Sequence, residues 1–322
     1  MYDDAGTLSL LGQTVYVYGL YVAIGCLLGG ILLWLLCRRD KKLRNAAAVS
    51  SLLSPVLGLV FGRLVWAVAE VQFAPLLSLP NVLFLRLGGF SMFGALAGAL
   101  LGGLLAARVT KASLPHLLDR LVPALLLFVA VARLGEGATA LGISRPLVTG
   151  LFDNTFLAMR DDYDAYLRTY LLESIGAAVL CILALLRLPR TTKAGGIALF
   201  GGLGFGVSQT LFESLRYDGH LRFSFIGLQQ VLAAVLFTVI IIALAKQLLR
   251  SPGQKGPRTL AIVSLIALPL CWAAVLGIEF LIDRSEMSKL ISYALYIAVL
   301  CVPMVLGLQL IARNGYYGKR DR

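Results

Sequence analysis

Polar positions along this 322-residue chain fall in clusters, and between the clusters lie long apolar runs. An α-helix rising 1.5 Å per residue needs about 20 residues to cross a hydrocarbon layer of about 30 Å. Nine runs reach that length: about 15–37, 50–70, 90–108, 115–135, 167–187, 196–215, 226–249, 260–282 and 289–312. The pattern predicts an all-α polytopic membrane protein of about nine transmembrane helices. Composition agrees, with 59% hydrophobic residues, 14% charged residues and a mean hydropathy of +0.85, values foreign to water-soluble domains. The acidic start, MYDDAGTLSLLGQ, has no basic region and no small-residue cleavage site, so the first run reads as a retained helix and not as a signal peptide.

Charge then orients the helices. The connections after runs one, three, five, seven and nine contain RRDKKLR, RVTK, RLPRTTK, KQLLRSPGQKGPR and RNGYYGKRDR; with Arg120 they hold 19 of the 29 Lys and Arg, against Asp40, Asp119 and Asp321. The acids, including the DDYD cluster at 161–164, gather on the other side. By the positive-inside rule the N-terminus lies outside and the C-terminus in the cytoplasm. A net charge of +12 is then accounted for by orientation and anionic headgroups, and no nucleic-acid partner is implied.

The chain shows no internal repeat. The link SPGQKGPR (251–258) divides it into a seven-helix membrane domain, 1–250, and a segment of two further helices with a basic cytoplasmic tail, 251–322. The longest outer connection, about 136–166, mixes polar with bulky apolar residues and is expected to lie on the membrane surface. Gly94, Gly98 and Gly102 recur every fourth residue, as do Gly25 and Gly29, a spacing that lets helix backbones approach closely. The run GGLGFG (201–206) lacks the Lys-Ser/Thr of a phosphate loop and reads as packing. Cys26, Cys37, Cys181, Cys271 and Cys301 have neither disulfide nor metal spacing, and no cofactor is expected.

Ionisable residues inside apolar runs are costly, from about 3 to more than 10 kcal/mol for an arginine at bilayer depth. Here they are Arg63, with Glu70 toward the outer end of its helix, then Arg133, Glu136, Glu173, Glu213, Arg216 and Glu279. Five of them (Arg133, Glu136, Glu173, Glu213 and Arg216) fall in the outer halves of their helices. Glu213 and Arg216 are three apart and share a helix face. Two readings follow: Arg–Glu bridges that hold the bundle together, or a polar cavity opening outward. For a cavity, planar guanidinium groups suit the phosphate of an anionic phospholipid. There is no Ser-His-Asp grouping, HExxH or CxxC to announce a hydrolase or a metal enzyme, and of the two histidines, His116 is cytoplasmic and His220 sits in an outer turn.

The order of several short segments resembles the prolipoprotein diacylglyceryl transferase family. VYVYGLYVAIGCLLGG (15–30) is similar to its first helix, with Tyr18 and Gly19 at the Tyr-Gly. GRLVWAVAE (62–70) resembles its Gly-Arg-Leu segment, and LGGFSMFGALAGALLGG (87–103) its GG-x-S-F-H-G-G segment. RLGEGATALG (133–142) follows the signature beginning Arg-[Leu/Ile]-Gly-Asn. YLLES (170–174) places Glu173 at the glutamate of a HPTQLYE segment, and FESLRYDG (212–219) resembles Glu-Phe-x-Arg. The resemblance covers about 13–250. Phe93 stands where the family has a histidine, Glu136 replaces the signature asparagine, and Gln209 occupies a position usually arginine.

The resemblance implies a bacterial cytoplasmic-membrane transferase. It would move diacylglycerol from phosphatidylglycerol to the cysteine thiol of a prolipoprotein, recognised through its signal-peptide region. It assigns catalysis to Arg133, Glu136 and Glu213 and substrate binding to Tyr18, Arg63, Glu173, Gln209 and Arg216. Two other classes stay open: a phospholipid-binding auxiliary protein that has lost catalysis, which Phe93 favours, and a transporter, suggested by Glu279 and the two added helices.

Overall fold

The computed structural model describes residues 6–10, 12–69, 89–139, 141–146, 154–160, 163–217, 222–250, 255–285 and 288–317. Glu70, Asp161, Asp162 and His220 lie outside them, as do 147–153 of the long outer connection and 251–254 of the expected boundary. Among the described residues are nine long helices: α1 Val17–Cys37, α2 Lys41–Ala69, α3 Met92–Thr110, α4 Leu114–Leu134, α5 Thr169–Arg187, α6 Gly196–Leu215, α7 Leu228–Arg250, α8 Lys255–Arg284 and α9 Lys289–Arg313. Seven are long and apolar enough to cross a membrane by length and composition, and the chain is an all-α polytopic membrane protein. The other two, α4 and α6, have about half of their residues buried and carry Asp119, Arg133, Gln209 and Glu213.

Two compact units divide the chain at Thr139–Ala140. In the first, α1 packs on α4 and α2 on α3. The α2–α3 seam is close because α3 presents glycine: a Cβ on Gly94 would stand 2.5 Å from the Phe61 carbonyl oxygen, and one on Gly102 2.8 Å from Ser54 Cα. Across the same seam Ser54 Oγ donates to the Ala99 carbonyl at 2.9 Å. Gly29 of α1 meets the Ala124 carbonyl of α4 in the same way, its Cβ falling at 2.9 Å. Small residues thus set helix separation where water supplies no hydrophobic drive. The outer faces stay apolar, with Leu27, Ile31 and Trp34 of α1 all exposed.

In the second unit α5, α6, α7, α8 and α9 share a core that includes Ala184, Phe200, Leu203, Phe237, Ile241, Leu268 and Leu310. The GGLGFG run lies within α6, where Gly206 lets the backbone of α7 approach: its Cβ would be 2.9 Å from the Ala233 carbonyl oxygen.

Local structure departs from the apolar pattern in four places. Residues 15 and 16 belong to a strand, β2 Gln13–Tyr16, paired antiparallel with β1 Thr7–Leu10; β-branched Thr14 and Val15 favour extension over helix. The connection before α5 folds into a small antiparallel sheet, β3 Ile143–Pro146, β4 Ala158–Arg160 and β5 Ala165–Arg168, with β5 central. A further two-residue pair, β6 Arg222–Phe223 and β7 Ile226–Gly227, precedes α7. Finally, α2 starts nine residues before its apolar run, because the Asp40 carboxylate accepts the amides of Lys42 (2.8 Å) and Leu43 (3.1 Å) and caps the basic turn as a helix.

A side chain at Gly98 would drive its Cβ into the Leu57 carbonyl of α2, and backbone cannot give way. Gly98→Val should therefore cost about 1–3 kcal/mol and lower the thermal midpoint of the detergent-solubilised protein. Gly19→Ala, where a Cβ meets nothing within 4 Å, should leave it unchanged; equal midpoints for the two variants would contradict the packing.

Candidate functional site

The predicted site residues separate into three described groups. In the first unit, α4 carries Arg133 in its last turn, ends at Leu134 and passes at once into a 3₁₀ turn, Gly135–Ala138. This turn carries Glu136 back beside Arg133, and the Arg133 guanidinium donates to the Glu136 carboxylate, both side chains buried. Thr139 secures the turn, its amide and hydroxyl donating to the Glu136 carbonyl at 2.9 and 2.8 Å. Gly135 is the hinge point for α1: a Cβ there would be 2.8 Å from Tyr21 Cβ and 3.2 Å from Tyr18 Cα. Tyr18 is thus packed against the segment that links Arg133 to Glu136.

Arg63 of α2, also in the first unit, has its own surroundings. It is buried, donates to the Gly89 carbonyl at 2.9 Å, and lies over the rings of Trp66 (4.2 Å) and Phe90 (5.8 Å). Its guanidinium is held flat by carbonyl and aromatic faces. Phe93 follows at the start of α3, half-buried.

The second unit holds the densest grouping. Glu173 of α5 and Gln209 and Glu213 of α6 are at most 4% exposed, and Arg216 is 1% exposed. Arg216 Nη1 donates to Glu173 Oε1 at 2.6 Å. The Gln209 amide donates to Glu173 Oε2 at 2.8 Å and to Glu213 Oε1 at 3.0 Å. One neutral NH₂ group therefore links two carboxylates, and one cation grips the first of them. Helix spacing accounts for half of this: 209 and 213 are one turn apart on α6. Arg216 departs from the helical face expected for it. It is the C-cap, with extended backbone at φ −73° and ψ 139°, so its side chain reaches across to α5. The Arg216 carbonyl in turn accepts from the Arg222 guanidinium of β6, and the Tyr217 amide donates to the Ile143 carbonyl at 2.9 Å.

A further polar group lies deeper in the second unit, and apart from Glu279 the sequence pattern does not flag it. Gln230 of α7 donates to Glu279 of α8, to Tyr296 Oη of α9 at 2.7 Å and to the Thr210 carbonyl of α6 at 3.4 Å. All three side chains are buried. A neutral amide or phenol in an apolar run carries no signal of cost comparable to a charge, so only Glu279 draws notice from sequence.

The arrangement can hold anions and move a proton. In the first unit the buried Glu136 carboxylate contacts Arg133 directly; in the second, Gln209 links the buried Glu213 carboxylate to Glu173, which Arg216 grips. A family model described as prolipoprotein diacylglyceryl transferase matches residues 6–246. Relatives named phosphatidylglycerol–prolipoprotein diacylglyceryl transferase include that of Bacillus cereus (strain Q1), 27% identical over 257 residues, spanning 76% of this chain and 92% of the relative. That of Bacillus cytotoxicus is 26% identical over 255 residues, spanning 76% and 92%, and that of Bacillus anthracis is 26% identical over 255 residues, spanning 76% and 91%.

The Arg216–Glu173 pair is buried, whereas the Arg145–Asp283 pair, at 3.0 Å, leaves the two side chains 43% and 25% exposed. Breaking a buried pair costs about 3–5 kcal/mol, and an exposed one contributes about 0–1 kcal/mol. Glu173→Ala should thus lower the thermal midpoint far more than Arg145→Ala; comparable shifts would contradict this ranking.

Proposed function

The chain belongs to the prolipoprotein diacylglyceryl transferase family, and on that premise we propose that it transfers a diacylglyceryl group from phosphatidylglycerol to the lipobox cysteine of prolipoproteins. The observation that carries the proposal is the match over 6–246, which contains all eight candidate residues, from Tyr18 to Arg216.

The reaction is a displacement at a glycerol carbon. A base takes the proton from the cysteine thiol, and the thiolate sulfur forms a C–S bond to the diacylglycerol carbon that bears the phosphate. The C–O bond to phosphate breaks, its electron pair stays on the departing oxygen, and glycerol phosphate leaves. The base must accept a proton near neutral pH, and cations must meet the charge that grows on the leaving phosphate.

As the resemblance implies, Arg133 and Arg216 are each candidates for the phosphate, with Arg63 in support; within the first unit Tyr18 packs at Gly135, and within the second Glu173 and Gln209 hold Arg216 and Glu213 in place. Glu213 is the better of the two candidate bases. The Glu136 carboxylate is already engaged by the Arg133 guanidinium. Glu213 accepts from the neutral Gln209 amide at 3.0 Å. Phe93 supplies no proton acceptor, so in this chain the task passes to a carboxylate.

The proposal includes nine crossings of the bacterial plasma membrane, the N-terminus outside and the C-terminus in the cytoplasm, with residues 1–250 forming the transferase domain. The gathering of 19 of 29 basic residues in five alternate connections and at Arg120 supports this. A second reading, a phospholipid-binding protein without transferase activity, draws on Phe93 and on the Glu136 carboxylate at Arg133.

The two readings separate in vesicles. Purified full-length protein in phosphatidylglycerol bilayers should convert a synthetic lipobox peptide to its diacylglyceryl thioether, followed by mass, and should not do so in phosphatidylcholine alone. Glu213→Gln should lower the rate about 10²–10⁴-fold, and Arg133→Ala should abolish transfer with the protein still folded. Phosphatidylglycerol binding without product would overturn the transferase reading in favour of the second.

A further inference from the structure

Helix α6 carries Gln209 and Glu213, and it ends at Leu215, one residue before Arg216. The last carbonyls of any helix lack intrahelical donors, so the setting of this final turn depends on what else reaches it. Two tyrosines of α9 do. Tyr293 Oη donates to the Ser214 carbonyl at 3.1 Å, and Tyr296 Oη donates to the Thr210 carbonyl at 3.4 Å. The acceptors are four residues apart on α6 and the donors three apart on α9, so two adjacent turns of one helix face grip two adjacent turns of the other. Each grip lies next in sequence to a site residue, Thr210 after Gln209 and Ser214 after Glu213.

The donors are themselves held. Tyr296 is completely buried, and its hydroxyl accepts from Gln230, whose amide also donates to Glu279 of α8 and to the Thr210 carbonyl. Phenylalanine would fill the same volume as either tyrosine. What the hydroxyls add is a directional hold on the α6 backbone. These groups sit on α7, α8 and α9, and α8 and α9 lie beyond the stretch that the family model matches, 6–246.

We propose that Tyr293 and Tyr296, backed by Gln230 and Glu279, are positioning residues for the transfer reaction: the two added helices fix the rotation of the last turns of α6, and with it the placing of the Glu213 carboxylate and the Arg216 guanidinium. This rests on the transferase reading. Proton removal depends on a single carboxylate, so loosening this turn acts on the rate of the bound complex more than on its formation. Misplacement of a reacting group by about 1 Å can cost on the order of a hundredfold in rate.

The test compares the full chain with Tyr293→Phe/Tyr296→Phe and with Trp272→Phe. The Trp272 variant removes another part-buried hydrogen bond of the same unit, Nε1 to Thr238 Oγ1 at 2.9 Å, which joins α8 to α7 and does not bond the α6 backbone. With the lipobox peptide in phosphatidylglycerol vesicles, the double tyrosine variant should lose roughly tenfold or more in kcat with KM for the peptide within about twofold. Its activity should also depend on pH differently from the parent's, as expected if the base has moved. The Trp272 variant, at a similar loss of thermal midpoint, should keep the parent's kcat and pH profile. Unchanged kcat in the tyrosine variant, or an equal loss in both variants, would overturn the positioning role and leave the transferase reading intact. An inactive parent would overturn both.

Discussion

A cation buried among apolar helices has to bring its counter-charge with it, and the Arg216–Glu173 pair is where this chain meets that requirement. Helices α5 and α6 must dock so that residues 173 and 216 meet, and glycine makes the docking close. A Cβ on Gly176, one turn from Glu173, would fall 2.8 Å from the Phe212 ring, and one on Gly204 2.6 Å from Leu180. Once docked, the Gln209 amide can reach both Glu173 and Glu213. The extended backbone at Arg216, the strand bond from Tyr217 to Ile143 and the tyrosine contacts from α9 follow from the same fixed turn. Here ionic pairing and a candidate site are one structure, since the pair that permits burial also holds charged groups at defined places.

The first unit applies the constraint differently. Arg133 meets its counter-charge within three residues, through the turn at Gly135. Arg63 rests on a carbonyl and two aromatic faces. Three arginines thus have three modes of compensation. A local carboxylate at position 136, where the family signature has asparagine, makes Arg133 the most fully neutralised of them within its own segment.

Much of this was legible in sequence, for a physical reason. A run of some 20 apolar residues has few alternatives to helix, so every expected segment corresponds to a long helix. The errors fall where the energies are small. The strands at 13–16 and in 143–168 are short, and the early start of α2 depends on one capping aspartate. Buried charges stand out as residues because their cost is large, and Arg133 with Glu136 could be paired from spacing alone. The partner of Arg216 could not. The bond from Arg216 to Glu173 runs from the C-cap of α6 across to α5, which spacing within one run does not reveal. Gln230, Tyr293 and Tyr296 were not legible at all, since neutral polar side chains in apolar runs are common and their partners lie on other helices.

The central claim is that this bundle performs lipid transfer with a carboxylate in the place of the histidine that Phe93 displaces. Its most direct test is complementation in a bacterium whose own diacylglyceryl transferase can be switched off, with a reporter lipoprotein followed by mass. The account predicts growth and a diacylglyceryl-modified reporter when this chain is expressed. A stably inserted chain that leaves the reporter unmodified would contradict it.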